Sequence, residues 1–216
     1  MSIKQAATVQ KHIDRIKELL WKQTANHPLG MPQYYGVLYY GKSSSGGLLD
    51  SETYNKRWSI HEVRKTHRFV NNLIRKCFGS DVPIWWSIER HSDYVSNEGD
   101  TKKGSFHSNL YVGSISDDAV ENPSPYLMPL FYKEDECGIP INMRNADIDN
   151  LKLLLLNACI RQAKWVGKHP NSLSLSIIPP EEMEQTFYYG LKDFTTRLEK
   201  MDEIIDFGNS SYYKPN

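Results

Sequence analysis

"VPIWWSIERH", Val82 to His91, and "SFHSNLYVGSI", Ser105 to Ile115, flank the polar stretch "SDYVSNEGDTKKG". Both runs are rich in aromatic and large apolar residues and are bounded by Gly, Pro, Asn, Asp and Ser, so they read as two strands joined by a long hairpin connection. A strand pair of this kind asks for further strands beside it and helices over it.

Working outward, "QYYGVLYYG", Gln33 to Gly41, lies between Pro32 and the turn-rich "GKSSSGG" and reads as the first strand. Between it and the hairpin, Ser59 and Glu62 form a capping box. Val63, Val70, Ile74 and Cys77 share one face, and Gly79 stands at the closing position. That spacing predicts a helix over about 60–78. After the hairpin, "NADIDNLKLLLLNACIRQAKWVG" predicts a helix closed by Gly167, and "SLSLSII" alternates as a half-exposed strand does. Pro179 and Pro180 end that strand and open a last helix. The order implies an α+β protein with one largely antiparallel central sheet flanked by helices. Val9, Ile13, Ile16 and Leu20 recur at helical spacing near the start. Residues 1–30 therefore read as a helical appendage, 31–204 as the core domain, and 205–216 as a frayed tail.

With 216 residues the chain can bury one substantial core. Its 26 basic residues equal its 26 acidic ones, so overall charge announces neither a nucleic acid nor a membrane. Cys77, Cys137 and Cys159 lie far apart without a CxxC pair, and no signal-peptide pattern opens the chain, which points to a reducing, cytoplasmic setting. The longest apolar run, Leu153 to Leu156, is too short to cross a bilayer.

The chemistry lies on the strands and the last helix. His107 and Asn109 are two residues apart and share a face, as do Glu89 and His91 on the preceding strand. Carboxylate, imidazole and amide oxygen on one face suit Mg²⁺ or Mn²⁺. A hairpin that pairs Glu with His electrostatically fits the same residues. On the last helix Met183, Phe187, Leu191, Phe194 and Leu198 form one stripe, while Tyr189 and Lys192 lie nearly opposite and Tyr188 falls at the boundary. A phenol beside a cation suits nucleophilic attack on phosphorus; a solvated face carrying an exposed tyrosine is the plainer reading.

Together these residues resemble the HUH endonuclease superfamily, specifically the single-tyrosine rolling-circle replication initiators of viruses, phages and plasmids. The resemblance spans about Gln33 to Arg197. It rests on element order, on His107 at the first position of the histidine motif, and on Tyr189-Gly-Leu-Lys192 in place of the family's Tyr-x-x-Lys. The strand departs from His-hydrophobic-His by reading His107-Ser108-Asn109, and Ser108 implies a partly polar underside. Some circovirus-like members carry Gln at the second histidine, which makes Asn109 a plausible ligand.

The resemblance implies an HUH-like sheet, a variant of the RRM or ferredoxin arrangement. It also implies a divalent ion, Mg²⁺ or Mn²⁺, held by His107, Asn109 and an acid, with His91 an additional candidate. Glu89 is favoured as the acid over the loop residues Glu98 and Asp100, because a strand position fixes ligand geometry. Tyr189 would attack a scissile phosphate to give a 5′-phosphotyrosine and a free 3′-hydroxyl, with Lys192 assisting and Tyr188 the alternative nucleophile. Single-stranded or hairpin origin DNA would contact Arg64, Lys65, Arg68, Lys102 and Lys103, with Trp85, Trp86 or Tyr111 stacking on bases. No GxxxxGK[ST] loop is present, so unwinding is expected from a separate helicase, with host replication proteins in a bacterial or archaeal cell. Competing classes are a related fold that only binds DNA and an unrelated α+β protein with an accidental Tyr-Lys pair.

Overall fold

The computed structural model describes residues 3–40, 58–90, 94–95, 101–102, 106–135, 137–143, 147–163, 172–192, 194 and 201–212. Its main helices are α1 (Ile3–Ala25), α2 (Ile60–Phe78), α3 (Asp118–Glu121), α4 (Met128–Phe131), α5 (Ile148–Ile160), α6 (Pro180–Tyr189) and α7 (Met201–Ile204). Its strands are β1 (Pro32–Tyr39), β2 (Ile84–Arg90), β3 (Tyr94–Val95), β4 (Thr101–Lys102), β5 (Phe106–Gly113) and β6 (Leu173–Ile177).

Four strands form one antiparallel sheet in the order β2-β5-β1-β6, so the protein is α+β with helices on both faces. β3 and β4 make a small separate ribbon within the β2-β5 connection. The register sets Trp85 opposite Tyr111, Ser87 opposite Asn109 and Glu89 opposite His107, with Tyr35, Val37 and Tyr39 of β1 alongside. Because alternate residues face the same way, these nine side chains share one face.

The other face carries Leu38, Trp86, Leu110 and Leu173, buried with Val70 and Ile74 of α2 and Leu155 and Leu156 of α5. α2 forms where its sequence places it. Ser59 Oγ accepts from Glu62 N at 3.3 Å, and Ser59 N donates to Glu62 Oε2 at 2.9 Å, a cap worth about 1 kcal/mol. Gly79 follows with φ of 104°, a conformation that favours glycine. The helix over 148–160 is shorter than its pattern implies, and Gly167 lies outside the described residues.

On the first face, α1 and α6 cover only the Trp85·Tyr111 end. There Ile13 and Leu20 of α1 meet Trp85, Tyr111, Met183 and Phe187 in a second core. α1, expected as an appendage, is thus built into the packing.

The segment over 205–212, expected as a frayed tail, runs along the β2 edge. Asp206 N donates to Trp86 O at 3.3 Å, Ser211 N donates to Ile84 O at 2.7 Å, and Ile205 is fully buried. It supplies partners to a strand edge that would otherwise be exposed. Among the described residues, no helix is long and apolar enough to cross a membrane.

Candidate active site

Beyond the Trp85·Tyr111 layer, the covering helices stop and the sheet face becomes polar. α6 ends at Tyr189, three residues before Lys192, so the Tyr-x-x-Lys pair straddles a helix end instead of lying within a continuous helix. Gly190 follows with helical backbone angles, φ −65° and ψ −10°, and a Cβ there would overlap the Tyr111 hydroxyl and crowd Ser87 Oγ at 3.1 Å. Backbone therefore meets the sheet directly, and the chain turns through Leu191 and Lys192, whose N–H groups donate to Tyr188 O at 3.1 Å and Tyr189 O at 3.0 Å. Leu191 and Phe194 stay buried with Met183 and Phe187, anchoring this turn. Leu198 lies outside the described residues.

The turn delivers Lys192 to the sheet. Its Nζ lies 2.6 Å from Glu89 Oε2 and 4.0 Å from the centroid of the Tyr189 ring. The same Glu89 Oε2 lies 3.0 Å from His107 Nε2. Glu89 Oε1 accepts from Asn109 Nδ2 at 2.5 Å. Tyr189, Lys192, Glu89, His107 and Asn109 are thus joined in one set of contacts. Glu89 is 1% exposed, Asn109 is buried and Tyr189 is 59% exposed, so the carboxylate sits at the floor and the phenol at the rim.

The electrostatics follow. Burial works against the charge on Glu89, but His107, Lys192 and Asn109 outweigh it and hold its pKa below the usual carboxylate range. Burial likewise opposes the charge on Lys192, while Glu89 and Tyr189 outweigh it and raise its pKa. Glu89 is an anion and Lys192 a cation at neutral pH.

Sequence reasoning missed three neighbours. Tyr35 Oη donates to Asn109 Oδ1 at 2.7 Å, Ser87 Oγ accepts from Asn109 Nδ2 at 3.1 Å, and the Tyr39 ring stacks on His107 at 6.1 Å. The signal for Tyr35 and Tyr39 was alternation with buried Tyr34, Leu38 and Tyr40 on the first strand.

Other expected residues lie elsewhere. Tyr188 faces α1, where Glu18 and Lys22 are its charged neighbours. Arg64 donates to the Asp202 carbonyl and lies 3.9 Å from Asp206, engaged with the C-terminal segment. Lys65 and Arg68 are exposed on α2, across the sheet from Tyr189. Trp85, Trp86 and Tyr111 are at most 1% exposed, so base stacking falls to none of them. Lys102 belongs to β4, while Lys103, His91, Glu98 and Asp100 lie outside the described residues.

Ser108, between His107 and Asn109, points to the opposite face. Its Oγ lies 2.7 Å from His67 Nε2, and His67 Nδ1 lies 2.7 Å from Asp206 Oδ2. The order Asp-His-Ser is that of a hydrolase triad, but Ser108 and His67 are fully buried, which leaves no path for a substrate. Burial lowers the His67 pKa against the pull of Asp206, so the ring is neutral and joins α2, β5 and the C-terminal segment.

As a cation site, the floor offers one buried carboxylate oxygen, Glu89 Oε2, which lies between the Lys192 ammonium at 2.6 Å and the His107 ring nitrogen at 3.0 Å. The carboxylate and the imidazole fit a divalent ion. Asn109 presents its nitrogen to Glu89 and its oxygen to Tyr35, and it would complete the set only with the amide turned over, an orientation that hydrogen bonding alone assigns. Among the described residues there is no group of three or more His, Cys, Asp or Glu placed to hold a metal, so a third protein ligand here would have to be an amide. No family model, curated protein or solved structure matches the chain.

Proposed function

We propose that this protein nicks and rejoins single-stranded DNA through a covalent link to Tyr189, in the manner of the HUH endonucleases that start rolling-circle replication. The observation that carries the reading is Lys192, whose ammonium touches both the exposed phenol of Tyr189 and the buried carboxylate paired with His107. A phenol is a useful nucleophile only when a neighbour accepts its proton or balances its charge, and Lys192 supplies that charge.

Glu89, His107 and Asn109 would hold Mg²⁺ or Mn²⁺, and the ion would supply polarisation of the scissile phosphate. Tyr189 Oη gives up its proton to solvent and attacks phosphorus, the bond from phosphorus to the 3′ oxygen breaks, and the departing 3′ oxygen takes up a proton from solvent. The 5′ end remains on the tyrosine, and the 3′-hydroxyl primes synthesis. Attack by that hydroxyl on the phosphotyrosine reseals the strand and restores the phenol. The substrate is single-stranded or hairpin origin DNA, and a separate helicase with host replication proteins extends the primer.

The test is a pool of single-stranded oligonucleotides incubated with the protein and Mn²⁺ or Mg²⁺. A denaturing gel should show a protein–DNA adduct that chelator abolishes. A second reading, a fold that only binds DNA, is favoured by the way Lys192 already neutralises Glu89 while Tyr35 occupies Asn109. It predicts DNA binding with no adduct under either metal.

A further inference from the structure

Away from the tyrosine, a groove follows the C-terminal segment where it passes α2. It has two parts that share Arg75. The smaller is a polar hollow of about 220 Å³, with Arg68, Asn72 and Arg75 on its α2 side and Ser210 opposite. Arg68, Asn72 and Arg75 recur at i, i+4 and i+7 and so project from one helix face. The larger part is an open cleft of about 430 Å³ whose apolar walls include Leu29, Val82 and Pro83.

The hollow is lined by cationic and neutral polar residues. None of the residues lining it is acidic. Among the described residues, neither Arg68 nor Arg75 takes part in an ion pair. Its floor is rigid, because buried Asn71 donates to Asn209 O at 2.6 Å and accepts from Trp86 Nε1 at 2.8 Å. Ser210 Oγ accepts from Trp86 N at 2.9 Å, which leaves its hydroxyl proton to donate outward. Two guanidinium groups, an amide and a hydroxyl line the hollow, the donors that phosphate oxygens accept from. The adjoining cleft gives an apolar group on the same ligand a place to leave water. Asp81 stands on its rim, where it accepts from Ser80 Oγ at 2.9 Å and is available to a sugar hydroxyl or a base amine.

We propose that this groove binds one nucleotide unit of a single-stranded nucleic acid, with its phosphate between Arg68 and Arg75 and its base in the cleft beside Leu29 and Pro83. The site holds the strand at a point separate from Tyr189 and takes no part in bond breakage.

The experiment uses Tyr189→Phe protein, so that only binding is read, with a labelled single-stranded oligonucleotide titrated over a range of salt concentrations. Adding Arg68→Gln and Arg75→Gln should weaken binding by about tenfold or more and reduce the slope of log affinity against log salt by about 1–2. Asn72→Asp, which places an acid in the hollow, should weaken binding in the same direction. Both arginines and Asn72 are exposed, so the melting temperature should not change. Affinity and slope unaltered by these changes overturn the proposal. Competition separates the sources: deoxyadenosine monophosphate should displace the oligonucleotide at concentrations where inorganic phosphate does not, and equal displacement by both overturns the base cleft. An absent adduct leaves this site standing, and unaltered binding here leaves the tyrosine chemistry standing.

Discussion

Lys192 places its ammonium 2.6 Å from Glu89 Oε2, where a divalent cation bound by Glu89 and His107 would also carry its charge. The two cations would compete for one carboxylate oxygen. Lys192→Met should therefore bind Mn²⁺ about fivefold more tightly in calorimetry, the equivalent of ~1 kcal/mol, while adduct formation falls. Equal affinity in both proteins would show that the ammonium does not compete, and absence of Mn²⁺ binding in both would count against the metal itself.

Gly190 is the hinge between Tyr189 and Lys192, and its contact with Tyr111 leaves no room for a side chain. Gly190→Ala should destabilise the protein by about 1–3 kcal/mol in urea denaturation and slow adduct formation, because the turn must lift from the sheet. Gly79→Ala offers a contrast: nothing lies within 4 Å of its Cβ, and only the backbone conformation at φ of 104° is strained. It should cost stability without a specific loss of adduct.

Asp206 accepts from Asn209 Nδ2 at 2.6 Å as well as meeting His67, so it ties the C-terminal segment to the core. Asp206→Ala should cost about 2–3 kcal/mol by leaving buried donors unpaired. Deleting residues 205–216 should do more, exposing the β2 edge and driving association visible by light scattering. A truncated protein that stayed monomeric and equally stable would contradict this account of the segment.

His67 is buried and its pKa lies below the ordinary histidine value. In the unfolded chain it takes up a proton near pH 6.5, whereas the folded protein resists protonation, so the unfolded state binds more protons below that pH. Its contribution to stability is complete above pH 6.5 and is lost as pH falls towards the folded pKa. Urea denaturation between pH 7 and pH 5 should show stability declining in the wild type, with a shallower decline in His67→Gln.

Local signals carried the fold. The capping box at Ser59 and the alternation in "SFHSNLYVG" depend on neighbours within a few residues, and both elements form where those patterns place them. The period of two also put His107 and Asn109 on one face. What escaped the sequence depends on distant contacts. Gly190 packs against Tyr111, some eighty residues away in the chain, just where the last helix ends at Tyr189. Ser87 bridges to Ile205, a pairing that no local pattern encodes, so a polar terminal stretch read as a tail. Tyr35 reaches Asn109 only because β1 lies beside β5. Ser108 did signal a polar underside, but its partner His67 was hidden on an amphipathic helix whose apolar stripe explained itself without it.

The most direct measurement digests the protein–DNA adduct formed with Mn²⁺ and locates the added 5′-phosphonucleotide by mass spectrometry. The account predicts the modification on Tyr189 and no adduct from Tyr189→Phe. An adduct that persists in Tyr189→Phe, or a modification found on Tyr188, Tyr39 or any other residue, would contradict it.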